Sequence, residues 1–325
     1  MISSNLNKLK GLISIIFFTH VTLASLILTI LLFLNPLTFP FTILYYVHVF
    51  YDQTYVNGGS PSTYFKSLFI WKWFNEYFSS KVIFDSTISY DETYIFGYHP
   101  HGVAGFGVFA NFASMHSNFY QQLPQFRLNI ATLNLNFYLP FHREVLLKLG
   151  FISANKESLK TALEKGQSCL VVVGGASEAL LANPKSTDVL LKNRFGFIKL
   201  ALKTGKPLVP IFSFGENKLY TQLRPSKGSW LDLIQKTLKK ALSFSTPIIY
   251  GRGFFQNSIG LLPKKVPIVS IIGNPIYVEK DENPSHEKIE QLLDVYKAEL
   301  TRIYNKYKVE YYNMLNEEAP EIQFH

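Results

Sequence analysis

The sequence predicts an α/β fold: a mainly parallel sheet with covering helices, preceded by an N-terminal membrane hairpin. Three observations carry the prediction. From Tyr94 onward, buried-strand and helix patterns alternate, and βαβ alternation builds parallel sheets. Before that, Leu12 to Leu34 runs 23 residues without a charge, long enough to span a bilayer. The conspicuous polar residues gather where strands end, and open α/β sheets bind ligands beyond the carboxyl ends of their strands.

The first apolar arm is interrupted only by mildly polar residues such as Ser14, Thr19, His20 and Ser25. Asn35-Pro36 breaks it, and a second arm from Leu37 to Tyr51, itself broken by Pro40, follows at once. The pair reads as a hairpin occupying residues 1–55, with 56–325 as one further domain facing the cytosol. The second arm is short and aromatic, which suits a re-entrant or interfacial segment as well as a crossing one. A cleaved signal peptide fits poorly, because the run is too long for an h-region and no small-residue cleavage site follows. Lys8 and Lys10 place the N-terminus in the cytosol. Ser60-Pro61 predicts a helix start, serine as N-cap and proline at the first position. Its body, Tyr64 to Phe78, is aromatic on several faces, and with Lys66 and Lys72 it suits either the membrane surface or the core.

The apolar run Tyr94-Ile95-Phe96-Gly97-Tyr98 predicts a buried strand that stops at His99-Pro100-His101-Gly102. Pro100 biases His99 towards an extended conformation, and Gly102 lets the backbone turn or approach a substrate. A positioned imidazole can take a proton from an alcohol near neutral pH.

Strands are expected at Leu128 to Leu133, Ser168 to Val173, Pro207 to Phe214 and Ile268 to Ile272. Asn155 caps a helix ended by Gly166, and a helix through Phe197, Ile198, Ala201 and Leu202 is ended by Gly205. Two further polar clusters follow strands: Gly174-Gly175-Ala176-Ser177-Glu178 and Gly215-Glu216-Asn217. Three strand ends are thus expected to converge on one site. Leu231 to Phe244 is amphipathic and reads as a solvated surface helix. A C-terminal helix starts at Asn283-Pro284 and carries Ile289, Leu292, Leu293, Tyr296, Leu300, Ile303 and Tyr307 as an apolar stripe.

Composition narrows the function. Hydrophobic residues make up 47% and charged ones 17%, more apolar than an ordinary soluble domain. A formal charge of +9 favours an anionic partner: a membrane surface, acyl-CoA phosphates or nucleic acid. Nucleic acid is excluded, since no recognition motif appears and the aromatics are not interleaved with basic residues. The single cysteine, Cys169, lies in a strand pattern and cannot form an internal disulfide.

Together these blocks resemble the diacylglycerol acyltransferase type 2 and monoacylglycerol acyltransferase family. The carrying residues are His99-Pro100-His101-Gly102, Gly174-Gly175 with Glu178, and Arg194-Phe195-Gly196-Phe197 through Gly205 to Phe214-Gly215-Glu216-Asn217. Gly251-Arg252-Gly253 and Ile272-Gly273-Asn274-Pro275-Ile276 extend the match, which runs from about Tyr94 to Val278. One departure stands out: the family usually has proline before the Gly-Gly pair, and here that position is Val173.

The resemblance implies an acyltransferase-like fold and transfer of a fatty acyl group from acyl-CoA to diacylglycerol, with acyl-CoA as co-substrate and neither cofactor nor metal. It implies His101 as general base, His99 as its positioning residue or substitute, and Glu178 as a third member that orients a histidine or binds the glycerol backbone. For substrate binding it points to Gly174, Gly175, Arg194, Gly196, Phe197, Glu216 and Asn217. The Gly174 and Gly175 amides suit a developing oxyanion, and Arg194, Lys199 and Lys203 suit CoA phosphates. A glycerophospholipid acyltransferase is disfavoured, because such enzymes carry an aspartate five positions after the catalytic histidine and Ala104 and Phe106 stand there. Monoacylglycerol or fatty-alcohol acceptors and a non-catalytic lipid-droplet anchor are the alternatives. The implied location is the endoplasmic reticulum membrane or lipid droplets, and a homo-oligomer is compatible with it.

Overall fold

The computed structural model describes residues 2–325 apart from 224, 227, 235, 236, 238–246 and 255–257, and no side chains over 2–8. Its centre is a seven-stranded sheet. In spatial order the strands are Lys81–Phe84, Val269–Ile272, Leu208–Phe214, Ile95–His99, Ser168–Val172, Leu128–Thr132 and Phe151–Ser153. The last five run parallel, and the first two run parallel to each other but antiparallel to the rest. The mainly parallel sheet expected from the sequence is therefore present, with an antiparallel pair at one edge.

Alternation along the central strand splits the core in two. Phe96 and Tyr98 belong to a cluster with Phe74, Phe78, Phe106 and Phe109 on one face. Ile95 lies in the cluster on the other face with Phe197, Leu200 and the C-terminal helix His286–Leu315, which presents Ile289, Leu293, Tyr296, Leu300 and Ile303. Several local signals act as read. Asn155 accepts from the Ser158 amide to cap Lys156–Glu164, and Gly205 ends Gly196–Thr204 in the left-handed region at φ 66°.

Other boundaries differ. The cap near residue 60 is Ser62, whose side chain accepts from the Phe65 amide, and the helical stretch breaks into Thr63–Lys66 and Phe69–Tyr77. Trp71, Phe74, Tyr77 and Phe78 are core residues, and Lys66 is buried with them instead of lying at a surface. The C-terminal helix is capped by Ser285, two residues beyond Asn283. Most of the amphipathic helix expected over Leu231–Phe244 lies outside the described residues; Leu231 to Ile234 are helical.

Two apolar helices, Ile2–Leu34 and Phe39–Tyr51, precede the sheet. Between them Asn35 Oδ1 accepts from the Leu37 amide at 2.9 Å, and Thr38 Oγ1 donates to the Leu32 carbonyl at 2.8 Å. The stretch Leu9–Leu34 is long and apolar enough to cross a membrane. The second helix, 13 residues, reaches about 20 Å, short of a hydrocarbon core of about 30 Å. The beginning of the first helix is part of the globular core. Leu12 and Ile15 are buried there, and the Phe18 ring packs 4.9 Å from Phe74 and 4.4 Å from Phe109.

Candidate active site

The strand Ile95–His99 is the central one of the seven and is buried at every position, and its neighbours on either side lead into the Gly174–Glu178 and Gly215–Asn217 segments. The His-Pro-His-Gly turn is held between those two segments by buried carboxylates. Glu178, 1% exposed, accepts the His101 amide on Oε1 and the Leu190 amide at 2.7 Å on Oε2. Glu216, also 1% exposed, accepts from the Phe106 amide at 2.9 Å, the Gly107 amide at 2.6 Å and the Tyr98 hydroxyl at 3.2 Å. Burial raises each carboxyl to about 7, and the amides that each accepts pull the other way.

Two glycines are required by this packing. Gly102 sits at φ 61°, and a Cβ there would come within 2.5 Å of Glu216 Cγ. A Cβ on Gly174 would overlap the Glu178 side chain.

The two histidines differ in what they can do. His101 is half-buried, and its Nδ1 lies 3.0 Å from the Gly102 carbonyl. A carbonyl oxygen only accepts, so Nδ1 carries the proton and Nε2 keeps its lone pair. Burial lowers the imidazole pKa, keeping it neutral near pH 7. His99 is fully buried, and its Nε2 meets the Tyr296 hydroxyl at 3.0 Å. That hydroxyl donates to the Gly97 carbonyl at 3.0 Å, so His99 Nε2 is the donor to Tyr296 and Nδ1 is bare. His99 Nδ1 has no partner among the described residues, and burial lowers its pKa to about 3.

The remaining expected residues are placed unevenly. Arg194 Nη2 donates to the Gly174 carbonyl at 3.0 Å, tying it to the Gly-Gly turn. Gly175, at φ 55°, has open space where a Cβ would stand. Asn217 is buried with Oδ1 unpartnered among the described residues. Gly196 is exposed at the start of its helix, whereas Phe197 is core and packs edge-on against Tyr296 at 5.0 Å. Lys199 is exposed with Nζ 5.9 Å from the Phe195 ring, and Lys203 is half-buried.

Sequence reasoning missed two hydroxyls. Tyr296 stood among the apolar stripe and Tyr98 within a strand, yet one fixes His99 and the other bonds Glu216. The only sequence signal was the choice of tyrosine where phenylalanine would fill the same volume, since a buried Tyr hydroxyl usually has a partner.

A family model described as diacylglycerol acyltransferase matches residues 30–320. The chain is 39% identical over 289 residues to Diacylglycerol O-acyltransferase 2B of Umbelopsis ramanniana, covering 87% of this chain and 83% of that one. It is 38% identical over 286 residues to Diacylglycerol O-acyltransferase 2 of Dictyostelium discoideum, covering 87% of each. With 2-acylglycerol O-acyltransferase 1 of Mus musculus it shares 39% over 271 residues, 82% of this chain and 81% of that one. Among solved structures, the 1-acyl-sn-glycerophosphate acyltransferase PlsC of Thermotoga maritima aligns over 92% of this chain and 97% of its own, at 14% identity and a TM-score of 0.44. That likeness is too slight to bear on the site, whereas the family model's match, residues 30–320, spans all three of the strand ends that meet around His101. The chain belongs to the diacylglycerol acyltransferase family.

Proposed function

We propose that this protein transfers a fatty acyl group from acyl-CoA to the free hydroxyl of diacylglycerol, forming triacylglycerol. The observation that carries the reading is the His101 tautomer: Nδ1 is spent on the Gly102 carbonyl, so the basic Nε2 is available to an acceptor hydroxyl. As the hydroxyl oxygen attacks the thioester carbonyl, Nε2 takes its proton. The tetrahedral oxyanion collapses with cleavage of the C–S bond, and the imidazolium returns the proton to the departing CoA thiolate.

We assign the oxyanion to the Gly174 and Gly175 amides, which open the short helix Gly175–Ala179. Arg194, Lys199 and Lys203 are assigned to the CoA phosphates, by charge. Asn217 offers a buried acceptor oxygen without a partner, which suits a glyceride hydroxyl or its neighbour. His99, Glu178 and Glu216 are positioning residues: they hold the strand end and turn that carry His101 and are not themselves required to move a proton. Phe197 contributes through its packing on Tyr296.

Within the hairpin, residues 1–55, the outward-facing part beyond Phe18 is assigned as the anchor in the endoplasmic reticulum membrane or on lipid droplets, with residues 56–325 facing the cytosol. Diacylglycerol resides in the bilayer and acyl-CoA arrives from the cytosol, so an interfacial site meets both.

The test is an assay of membranes containing the full chain, with labelled acyl-CoA and a panel of diacylglycerol, monoacylglycerol, fatty alcohol and lysophosphatidate. Highest turnover on diacylglycerol is expected. A clear preference for monoacylglycerol replaces the acceptor and leaves the chemistry; labelled product from none of them overturns the reading.

A further inference from the structure

A cavity of about 450 Å³ lies away from the histidines, lined by Lys66, Tyr120, Arg127, Asn129 and Gln167 among others. It opens at the amino ends of the strands Leu128–Thr132 and Ser168–Val172. His101 follows the carboxyl end of Ile95–His99, which pairs in parallel with Ser168–Val172. One five-residue strand, about 16 Å, therefore separates the cavity from the acyl-transfer centre.

What this cavity offers is hydrogen-bond donors. Lys66 Nζ spends one proton on the Tyr120 hydroxyl oxygen at 2.7 Å and keeps two. The Tyr120 O–H, having accepted, is left to donate. Asn129 Nδ2 donates to Gln167 Oε1 at 2.8 Å, which leaves the Gln167 amide nitrogen as a further donor. Arg127 stands exposed at the rim and adds a guanidinium. No aspartate or glutamate is among the lining residues, and neither Lys66 nor Arg127 has an ion-pair partner among the described residues.

Lys66 is 6% exposed, and an ammonium buried without a counter-ion is costly. Burial lowers its pKa to about 8, so it is still mostly charged near neutrality, and a bound anion would secure that charge. Two cations and two further donor groups match the charge and oxygen count of a phosphate dianion better than those of a carboxylate. The volume is that of an ordinary small-molecule site, larger than a phosphate group alone needs.

We propose that this cavity binds a phosphomonoester, with the phosphate held by Lys66 and Arg127 and steadied by Tyr120 and Gln167. Its source is either a phosphorylated glyceride or the nucleotide end of a second coenzyme molecule, distinct from the one assigned to Arg194, Lys199 and Lys203, and the chemistry of recognition is the same for both.

The test is equilibrium binding to the full chain in phosphatidylcholine nanodiscs, using inorganic phosphate, adenosine 3′,5′-bisphosphate and lysophosphatidate, with monoacylglycerol as the phosphate-free control. At least one phosphate probe should bind wild type and His101→Ala alike. Lys66→Met should weaken it about tenfold or more and Arg127→Gln severalfold, as loss of a charge-assisted contact predicts, with the control unchanged. Preference for lysophosphatidate assigns a lipid source and preference for the bisphosphate a nucleotide one; inorganic phosphate binding as tightly as either ester overturns recognition of a phosphomonoester. If Lys66→Met shows no folding transition, Arg127→Gln, on the surface, decides. The proposal is overturned if no phosphate probe binds wild type, if binding is lost in His101→Ala, or if Arg127→Gln binds as wild type does.

Discussion

The Tyr296 hydroxyl sets the tautomer of His99: it gives its proton to the Gly97 carbonyl and takes the proton of His99 Nε2, both at 3.0 Å. The C-terminal helix is thereby fastened to the end of the central strand, one turn of chain before His101. Tyr296→Phe keeps the ring that packs on Phe197 and removes only the hydroxyl. It leaves the buried His99 N–H without its acceptor, so stability should fall by about 1–3 kcal/mol. Turnover should fall with little change in KM, because His99 shapes the turn and binds no substrate in the proposed mechanism. A melting temperature equal to that of wild type, read by intrinsic fluorescence in detergent, would contradict the pairing.

His101→Ala should lower turnover by about a hundred- to ten-thousand-fold while acyl-CoA is still retained, and His99→Ala should cost less. The comparison is made at equal protein level in the same membranes. Because burial holds the His101 imidazole below its ordinary range, the acid limb of the wild-type rate profile should lie below pH 6.5, the ordinary imidazole value. A limb at or above that value would mean another group carries the proton.

Glu216 gives a stability test with a defined sign. Burial raises its pKa from 4.5 to about 7, so the folded chain keeps a proton that the unfolded chain releases between those values. Its contribution is whole below about pH 4.5 and declines as pH rises through about 7. Glutamine does not titrate and sets its NH2 group against one of the two backbone N–H groups, Phe106 or Gly107, that the carboxyl oxygens accept, so Glu216→Gln should destabilise at every pH. The gap from wild type should be widest at about pH 4.5 and below, and narrower by on the order of 3 kcal/mol at pH 8. His99 and Glu178 titrate in both proteins and drop out of the difference. Unfolding curves at the two pH values settle it, and a gap that widens with pH would exclude a buried, proton-retaining Glu216.

Much of this architecture was legible because each signal was local. Asn155 and Gly205 cap and end their helices by contacts within a few residues, and the buried strands declare themselves by composition. The His-Pro-His-Gly turn, the Gly-Gly segment and the Gly-Glu-Asn segment were all recognisable as strand ends. What held them together was not. Glu178 reaches the His101 amide across 77 residues and Tyr296 reaches His99 across 197, and neither separation leaves a trace in periodicity. Glu178 was expected to orient an imidazole or bind glycerol; its described contacts are to the backbone amides of His101 and Leu190. Lys66 lies in an aromatic stretch that suits the membrane surface and the core alike, and only the tertiary fold shows that Tyr120 and the Leu128–Thr132 edge enclose it. Phe197 belongs to a recognisable motif, yet that motif's phenylalanine serves the core beside Tyr296.

The first apolar helix should separate into two functional halves. Ile15 is fully buried in the domain core, whereas Leu31 is 57% exposed on the stretch long enough to cross a bilayer. Ile15→Ala should therefore destabilise the catalytic domain by about 2–5 kcal/mol, the cost of an unfilled core site, with membrane attachment retained. Replacing the outward residues Leu26, Leu31 and Leu34 with serine should leave the fold in detergent nearly unchanged, because these side chains make little of the core. The same triple change should release part of the protein from carbonate-washed membranes, since each leucine moved out of lipid forfeits about 1.5–3 kcal/mol of apolar burial. Deleting residues 1–51 removes both halves at once, so that truncation should lose activity as well as attachment. A triple-serine variant that stays wholly in the pellet would move the anchor elsewhere. An Ile15→Ala variant as stable as wild type would detach the start of the helix from the core.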